Sequence, residues 1–488
     1  MIDTRIIKHD DYSVEFKIGF YTSPKEIDQN KFKINTWIFF PNALDVNRYT
    51  YHKNEFYSDI KSNVRLITPI YTLKEILNEG RGPFPRLRKA IDILKKESSD
   101  EQRESYTYQI KMLLCIVKSA LRRTTGKITR KERSEKELVE LIKDFMTDVN
   151  KITQRFRTMR DEVLEDCSFP HKLKEFMLFG DEYLATIMAR SIFYLMEQYY
   201  NHPAYTTIKP IMYDYIIKEN NNSKQMGYEL PNENDNEKNS WIVRHLVRLK
   251  KIMESDLYLH RIRKTDGAFV KEIYYGIAAG LAMIFATIIS FIATQHYGNF
   301  TSALFLALVI SYIFKDRIKE SARIYFSSRL DQKYFDYKWD MSIRNQKIGN
   351  IREAFDFIAQ EKVPQSIMEL RNQSSLVVEE TKSYDEKVIL YRKRATLFKS
   401  DLEKYKEYHL SGINDILRFN LLRYTKQMDN EVVPLYLPDE ENGFRTIAGQ
   451  RVYLIYFILE GKSEDESFIK KYCVYLNRSG IQSIEEQG

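Results

Sequence analysis

From Ile273 to Phe314 the chain runs for 42 residues without a Lys, Arg, Asp or Glu. About 20 apolar residues carry a helix across a bilayer core. The run is too long for one crossing and long enough for two. It contains its own turn signal, Gln295-His296-Tyr297-Gly298-Asn299, in which Gly and Asn accept positive φ. The pattern predicts a helical hairpin with spans at about 273–294 and 297–314. Elsewhere the periodicity changes. Tyr12, Val14, Phe16, Ile18 and Phe20 alternate with polar residues, as in a half-buried strand. Phe32–Phe40 is a second strand, and the polar connection from Ser23 to Asn30, with Pro24 and Asp28, predicts that the two pair antiparallel. Val64–Tyr71 is a third.

Gly80-Arg81-Gly82-Pro83-Phe84-Pro85 breaks the strand pattern, and helices follow. Tyr106, Ile110, Leu113, Val117 and Leu121 recur at three or four, with Gly126 near the expected end. Ser134 and Glu137 form a capping box that opens a long helix. On it Leu138, Ile142, Phe145, Val149, Ile152, Phe156, Met159 and Val163 form a heptad seam. Such a seam serves an intramolecular bundle or an intermolecular coiled coil; Phe145 and Phe156 favour the bundle. Residues 183–196 form another core helix, 219–239 a polar loop, and Trp241 to Arg263 a helix leading to the membrane. Beyond the hairpin, Lys315–Leu330 continues as helix, and Ile351–Ala359 and Pro364–Leu370 are expected helices. From Tyr384 the pattern turns to strands: Val388–Phe398, Asp415–Thr425, Arg451–Glu460 and Tyr472–Asn477, then a turn at Arg478-Ser479-Gly480 into Ile481–Glu485. Arg451–Glu460 is apolar on both faces, as a central strand is.

The expected fold class is therefore an α+β membrane protein. Its parts are a β-rich segment at 1–85, a helical cytoplasmic region at 86–268, the transmembrane hairpin with a cytoplasmic extension at 269–335, a helical connector at 336–383 and an antiparallel β-sandwich-like domain at 384–488.

Charge fixes the expected orientation. Arg261, Arg263, Lys264 and Lys271 precede the run; Lys315, Arg317, Lys319, Arg323 and Arg329 follow it. The positive-inside rule puts both flanks, and both termini, on the cytoplasmic side of a bacterial inner membrane. The same bases suit contact with anionic headgroups. Gly276 and Gly280 form GxxxG, followed by Ala282 and Ala286 and, on the second span, Ala303, Ala307 and Ser311. Small residues at this spacing let helices approach closely, either within one hairpin or between hairpins of a homo-oligomer.

Composition narrows the rest. Of 488 residues, 43% are hydrophobic and 30% charged, and the mean hydropathy is -0.47, which excludes a polytopic transporter. The net charge of +8 arises from 76 bases against 68 acids without a block of like charge, so no nucleic-acid partner is expected. The three cysteines are scattered; Cys115 and Cys473 sit in apolar runs and read as buried thiols. The opening residues MIDTRIIKHDDYS lack the apolar segment of a secretory leader. Phosphate-loop, dinucleotide, zinc-protease and nucleophile-elbow motifs are missing from the sequence; Thr125-Gly126-Lys127 lacks the preceding loop glycine. His171 with Glu175, and His245 with polar neighbours, are lone groups of the kind that are usually solvated. No catalytic, cofactor or metal residue is assigned.

Two stretches, FFPNALDVNRYTYHKNEFYSDIKSNVRLITP at residues 39–69 and ALVISYIFKDRIKE at residues 307–320, resemble a family of bacterial two-span membrane proteins of about 500 residues. The resemblance implies a cytoplasmic region on each side of a membrane hairpin and brings no activity or site residues. The expected function is a membrane-anchored, non-enzymatic scaffold, sensor or assembly protein whose protein partner the sequence does not name. An oligomeric pore component is the first alternative, a membrane-proximal enzyme the second.

Overall fold

The computed structural model describes residues 1–23, 28–80, 82–97, 99–130, 133–298, 301–343, 346–372, 386–403 and 408–487. Pro24, Arg81, Asn299, Phe300 and Tyr384 of the readings above lie outside the described residues, as does the side chain of Arg329. The protein is mixed α+β, with antiparallel sheets. It divides into two units. One comprises Met1–Arg65, Leu259–Lys406 and Ser411–Gly488; the other comprises Leu66–Tyr258 and Glu407–Leu410.

The first unit carries the strands. β1 (Ile2–Asp10), β2 (Ser13–Tyr21), β9 (Gly412–Asn420) and β4 (Ile60–Leu66) form a four-stranded sheet in the order β1-β2-β9-β4. An eight-stranded sheet runs β14 (Gly480–Gln487), β13 (Ser467–Asn477), β12 (Tyr453–Lys462), β3 (Gln29–Phe40), β8 (Lys387–Phe398), β7 (Gln346–Ile358), β6 (Tyr337–Ile343), β5 (His260–Thr265). β10 (Val432–Asp439) and β11 (Gly443–Gln450) make a separate ribbon.

Period-two patterning explains the packing. Along β12, Ile455, Phe457 and Leu459 enter a core shared with Val14 and Phe16 of β2 and Leu417 and Phe419 of β9. The alternate residues Tyr456 and Ile458 enter a second core with Trp37, Phe39 and Val388, covered by Ile367 of α11 (Gln365–Asn372). The two apolar faces of Arg451–Glu460 thus each have a core of their own.

The structure departs from several of these expectations. β2 and β3 do not pair with each other: β2 lies between β1 and β9, and β3 between β12 and β8. The last strands do not close a separate sandwich, because β12 and β8 both pair with β3 from the N-terminal segment. Ile351–Ala359 is not helical. Its apolar spacing fits a helix, but the segment lies in β7, paired on both sides with β6 and β8, and tertiary pairing overrides local preference. The helix from Trp241 stops at Met253, and Arg261 and Arg263 sit on β5. The third strand lies at Ile60–Leu66, and β9 ends at Asn420 before a short helical turn, Leu422–Thr425.

The second unit is helical: α2 (Leu73–Ile76), α3 (Pro83–Lys96), α4 (Asp100–Thr129), α5 (Glu135–Glu165), α6 (His171–Gln198), α7 (Tyr205–Gln225) and α8 (Asn236–Met253). The polar loop is therefore confined to about 226–235. The Ser134 hydroxyl accepts the Glu137 amide, as a cap should, while the Glu137 carboxylate accepts from Arg133. All eight seam residues from Leu138 to Val163 are buried inside this unit, so the seam serves an intramolecular bundle. A Cβ on Gly180 would meet Ile110 at 3.1 Å and Phe156 at 3.2 Å, so glycine sets the spacing of α6 against α4 and α5. Arg157 and Arg160 of α5 both bind the fully buried Asp181 of α6, and Arg157 also binds Glu219 of α7.

Candidate membrane-attachment site

The uncharged run grows out of the edge of the large sheet. β5 and β6 pair antiparallel from His260–Ser342 to Thr265–Tyr337, so residues 266–336 occupy the position of a hairpin loop. That loop contains two long helices, α9 (Ala268–Tyr297) and α10 (Ser302–Lys333). The root is closely held. The Asp266 amide donates to the Asp336 carbonyl, and the Asp266 carboxylate accepts the Phe335 amide at 3.3 Å. Gly267 stands at φ +68°, and a Cβ there would lie 2.7 Å from the Tyr334 ring, so both conformation and space require glycine. The Asp336 carboxylate accepts from the Tyr57 hydroxyl at 2.9 Å, the Phe355 amide at 2.8 Å and Lys53 at 2.5 Å.

Antiparallel contacts set the register of the helices. The Ser311 hydroxyl donates to the Ala286 carbonyl at 3.3 Å, Arg323 lies 4.8 Å over the Tyr275 ring, and Tyr274 meets Phe326 at 5.2 Å. Ala278, Ala282, Ala293 and Ser311 are buried in the seam, with Ala286 and Ala307 half-buried beside them. Ala303 is exposed near the turn. Gly276 and Gly280 are exposed as well, and a Cβ on either would meet nothing within 4 Å. Of the stripe read from the sequence, Ala282, Ala286, Ala307 and Ser311 lie between the two helices, while Ala303 and the GxxxG pair do not.

The outward face is apolar. Ile273, Ile277, Leu281, Ile284, Ile288 and Phe291 are each 46–73% exposed. Among the described residues α9 is the one helix long and apolar enough to cross a membrane, with a mean hydropathy of 2.2 over a window only 17% buried. A core helix of a soluble unit would be mostly buried. Two threonines on α9 bond within the helix: Thr287 donates to the Met283 carbonyl at 2.9 Å and Thr294 to the Ser290 carbonyl at 2.8 Å. Such closure suits a solvent that offers no hydrogen bonds. In α10 the uncharged stretch ends at Phe314, about 20 Å from Ser302 at 1.5 Å per residue.

The basic flanks divide into two groups. Arg261 donates to the Ser62 carbonyl and hydroxyl and covers Trp339; Arg263 stacks 3.5 Å over Tyr337; Lys264 pairs with Asp340 at 2.9 Å. Lys264 and Lys347 together outweigh burial and hold the Asp340 carboxyl below its usual range. These three bases brace the sheet edge. Lys271 is half-buried on the first turns of α9. Lys315 sits 4.1 Å over Tyr312, while Arg317 and Lys319 are exposed on α10.

Behind the root lies a buried ionic cluster whose members the sequence does not connect. Lys393 of β8 is 2% exposed, pairs with the fully buried Asp415 of β9, and reaches Glu353 of β7 at 3.3 Å. Burial alone would lower the Lys393 pKa; the two carboxylates outweigh it and raise it. Asp415 also accepts the Ser62 hydroxyl at 2.9 Å, and Ser62 is the partner of Arg261. Glu353 accepts the Trp339 indole N–H at 3.2 Å. The cluster therefore connects the core to both strands that lead into the helices. Beside Lys393 lies a cavity of about 20 Å³, the volume of about one water molecule, walled mainly by apolar side chains that include Phe16, Ile38 and Phe457.

Elsewhere, His171 and Glu175 form an exposed pair at 3.6 Å, and His245 meets both oxygens of Glu182 at 2.8 and 2.9 Å while stacking on Trp241. Among the described residues no three His, Cys, Asp or Glu side chains are grouped to hold a metal ion. Cys115 and Cys473 are buried, and burial pushes the Cys473 thiol up to about 11. Comparison with protein-family models, with curated proteins and with solved structures yields no match.

Proposed function

We propose that this chain is an anchored membrane protein whose helix pair enters the bilayer from the side of its β-rich unit, and that it serves there as a non-enzymatic scaffold or assembly protein. The supporting observation is the exposed apolar surface of α9, carried on a loop whose two ends are hydrogen-bonded together. Contiguous apolar surface of this extent on a soluble monomer marks an interaction site. Here it has the length of a bilayer crossing. Because β5 and β6 are sheet neighbours, the strands before and after the helices lie on one face of the membrane. Anchoring raises the effective concentration of both units for partners at that face.

Flotation tests the reading. Purified chain mixed with phosphatidylcholine and phosphatidylglycerol vesicles should rise with them in a density gradient and stay bound through a high-salt wash. A protein that remains at the bottom of the gradient, monodisperse without detergent, would refute it.

A further inference from the structure

The two helices do not offer the bilayer equal apolar lengths. On α9 the uncharged stretch from Ile273 to Thr294 spans about 33 Å, close to a hydrocarbon core of about 30 Å. On α10 only Ser302–Phe314 is uncharged, about 20 Å. The Ser311–Ala286 bond and the Arg323–Tyr275 contact place Lys315 level with Ala282–Met283 and Lys319 level with Ala278–Ala279. When α9 spans fully, Lys315, Asp316 and Arg317 stand about 13 Å inside the level of Ile273. Each charge held at the centre of hydrocarbon lowers occupancy by on the order of a hundredfold. Raising the pair until these charges reach water is no remedy. It would leave the exposed apolar side chains of Ile273, Ile277 and Leu281 in water.

We propose that the helix pair is fitted to a bilayer thinned on the α10 side, with anionic lipid phosphates drawn down onto a shelf formed by Lys315, Arg317, Lys319 and Arg323. The inference rests on the attachment proposed above. Asp316 and Glu320 share the shelf, so it holds four bases against two acids and retains a net positive charge. Arg317 and Lys319 are exposed, as is Arg323, which lies over the Tyr275 ring. Thinning is one of the responses a short apolar segment imposes on a membrane, together with extension of its flanking bases towards the headgroups. Aromatic residues at the outer level, Tyr274, Tyr275 and Tyr325, suit the interface of such a membrane.

Flotation with vesicles of graded thickness tests this. The full chain is mixed with dimyristoleoyl, dioleoyl or dierucoyl phosphatidylcholine, each with and without the matching phosphatidylglycerol. Partitioning should fall by about tenfold from the thinnest to the thickest bilayer. It should rise with phosphatidylglycerol, and free inorganic phosphate should not compete. The combined variant Lys315→Leu, Asp316→Leu, Arg317→Leu, Lys319→Leu should move the optimum to the thicker bilayers. The Lys315→Arg, Lys319→Arg variant should keep the wild-type preference and serves as the reference if the leucine variant does not fold. Equal binding to all three thicknesses, or the same preference in the leucine variant, overturns the shelf while leaving attachment intact. Failure to float with any vesicle overturns attachment and the shelf together.

Discussion

Lys393→Met isolates the buried charge cluster. The lysine, Asp415 and Glu353 have side chains no more than 5% exposed, and the lysine stands between two carboxylates. Methionine fills the volume and removes the charge. Breaking a buried pair from one side leaves the partner uncompensated and costs about 3–5 kcal/mol. The sign with pH follows from linkage. In the wild type the folded pKa of Lys393 is raised, so its contribution is complete below the unfolded value and is lost as pH rises through the folded one. In the variant Asp415 and Glu353 keep their burial and lose the cation between them. The deficit should therefore be full at neutral pH and shrink only at alkaline pH, as the wild-type lysine loses its proton. Urea unfolding in detergent, followed by the fluorescence of Trp37 and Trp339 on the same sheet, measures it. A deficit under about 1 kcal/mol that does not change at alkaline pH would show that Lys393 does not hold this cluster together.

Gly267→Ala combines a left-handed backbone with a 2.7 Å approach to Tyr334, and should cost about 1–3 kcal/mol in the same unfolding assay. Gly276→Leu with Gly280→Leu should leave the α9–α10 contact unchanged, measured as unaltered thermal unfolding in detergent, because both positions face open space. Phe156→Ala should destabilise the helical unit by about 3–5 kcal/mol in chemical denaturation, since the ring is 1% exposed in the bundle core. Lys118 outweighs burial to hold the Glu254 carboxyl below its usual range. That pair therefore contributes stability above the unfolded pKa and loses it as pH falls through the folded one; Lys118→Met should flatten the acid limb of the stability profile.

Much of this architecture is legible in the chain because it depends on periodicity. The seam from Leu138 to Val163, the doubly apolar Arg451–Glu460 and the uncharged 273–314 each show their burial or exposure through spacing alone. What spacing does not show is which distant segments meet. β3 finds β8 and β12 across more than 300 residues, and nothing in Phe32–Phe40 specifies them. β7 has helix-like spacing and becomes a strand because two neighbours claim its backbone. The Lys393 cluster unites residues of three strands, each an ordinary charge in its own segment. At the site, the sequence gives the apolar run and its bases. It does not give the face: Ala282 and Ala286 meet α10, Gly276 and Gly280 do not, and Arg261, Arg263 and Lys264 bind protein groups through a strand that the helical reading of Trp241–Arg263 concealed.

The central claim concerns the solvent around α9 and α10. Each half-exposed Ile, Leu or Phe moved from water to hydrocarbon contributes roughly 1 kcal/mol, and the pair on the order of 10–20 kcal/mol in all. The direct test compares the full chain with a variant in which residues 266–336 are replaced by Asn-Gly, a two-residue turn suited to joining Thr265 to Tyr337. After an alkaline carbonate wash and ultracentrifugation, the full chain should stay in the membrane pellet and the variant should be folded in the supernatant. A full chain that enters the supernatant without detergent, folded and monomeric, would contradict the account.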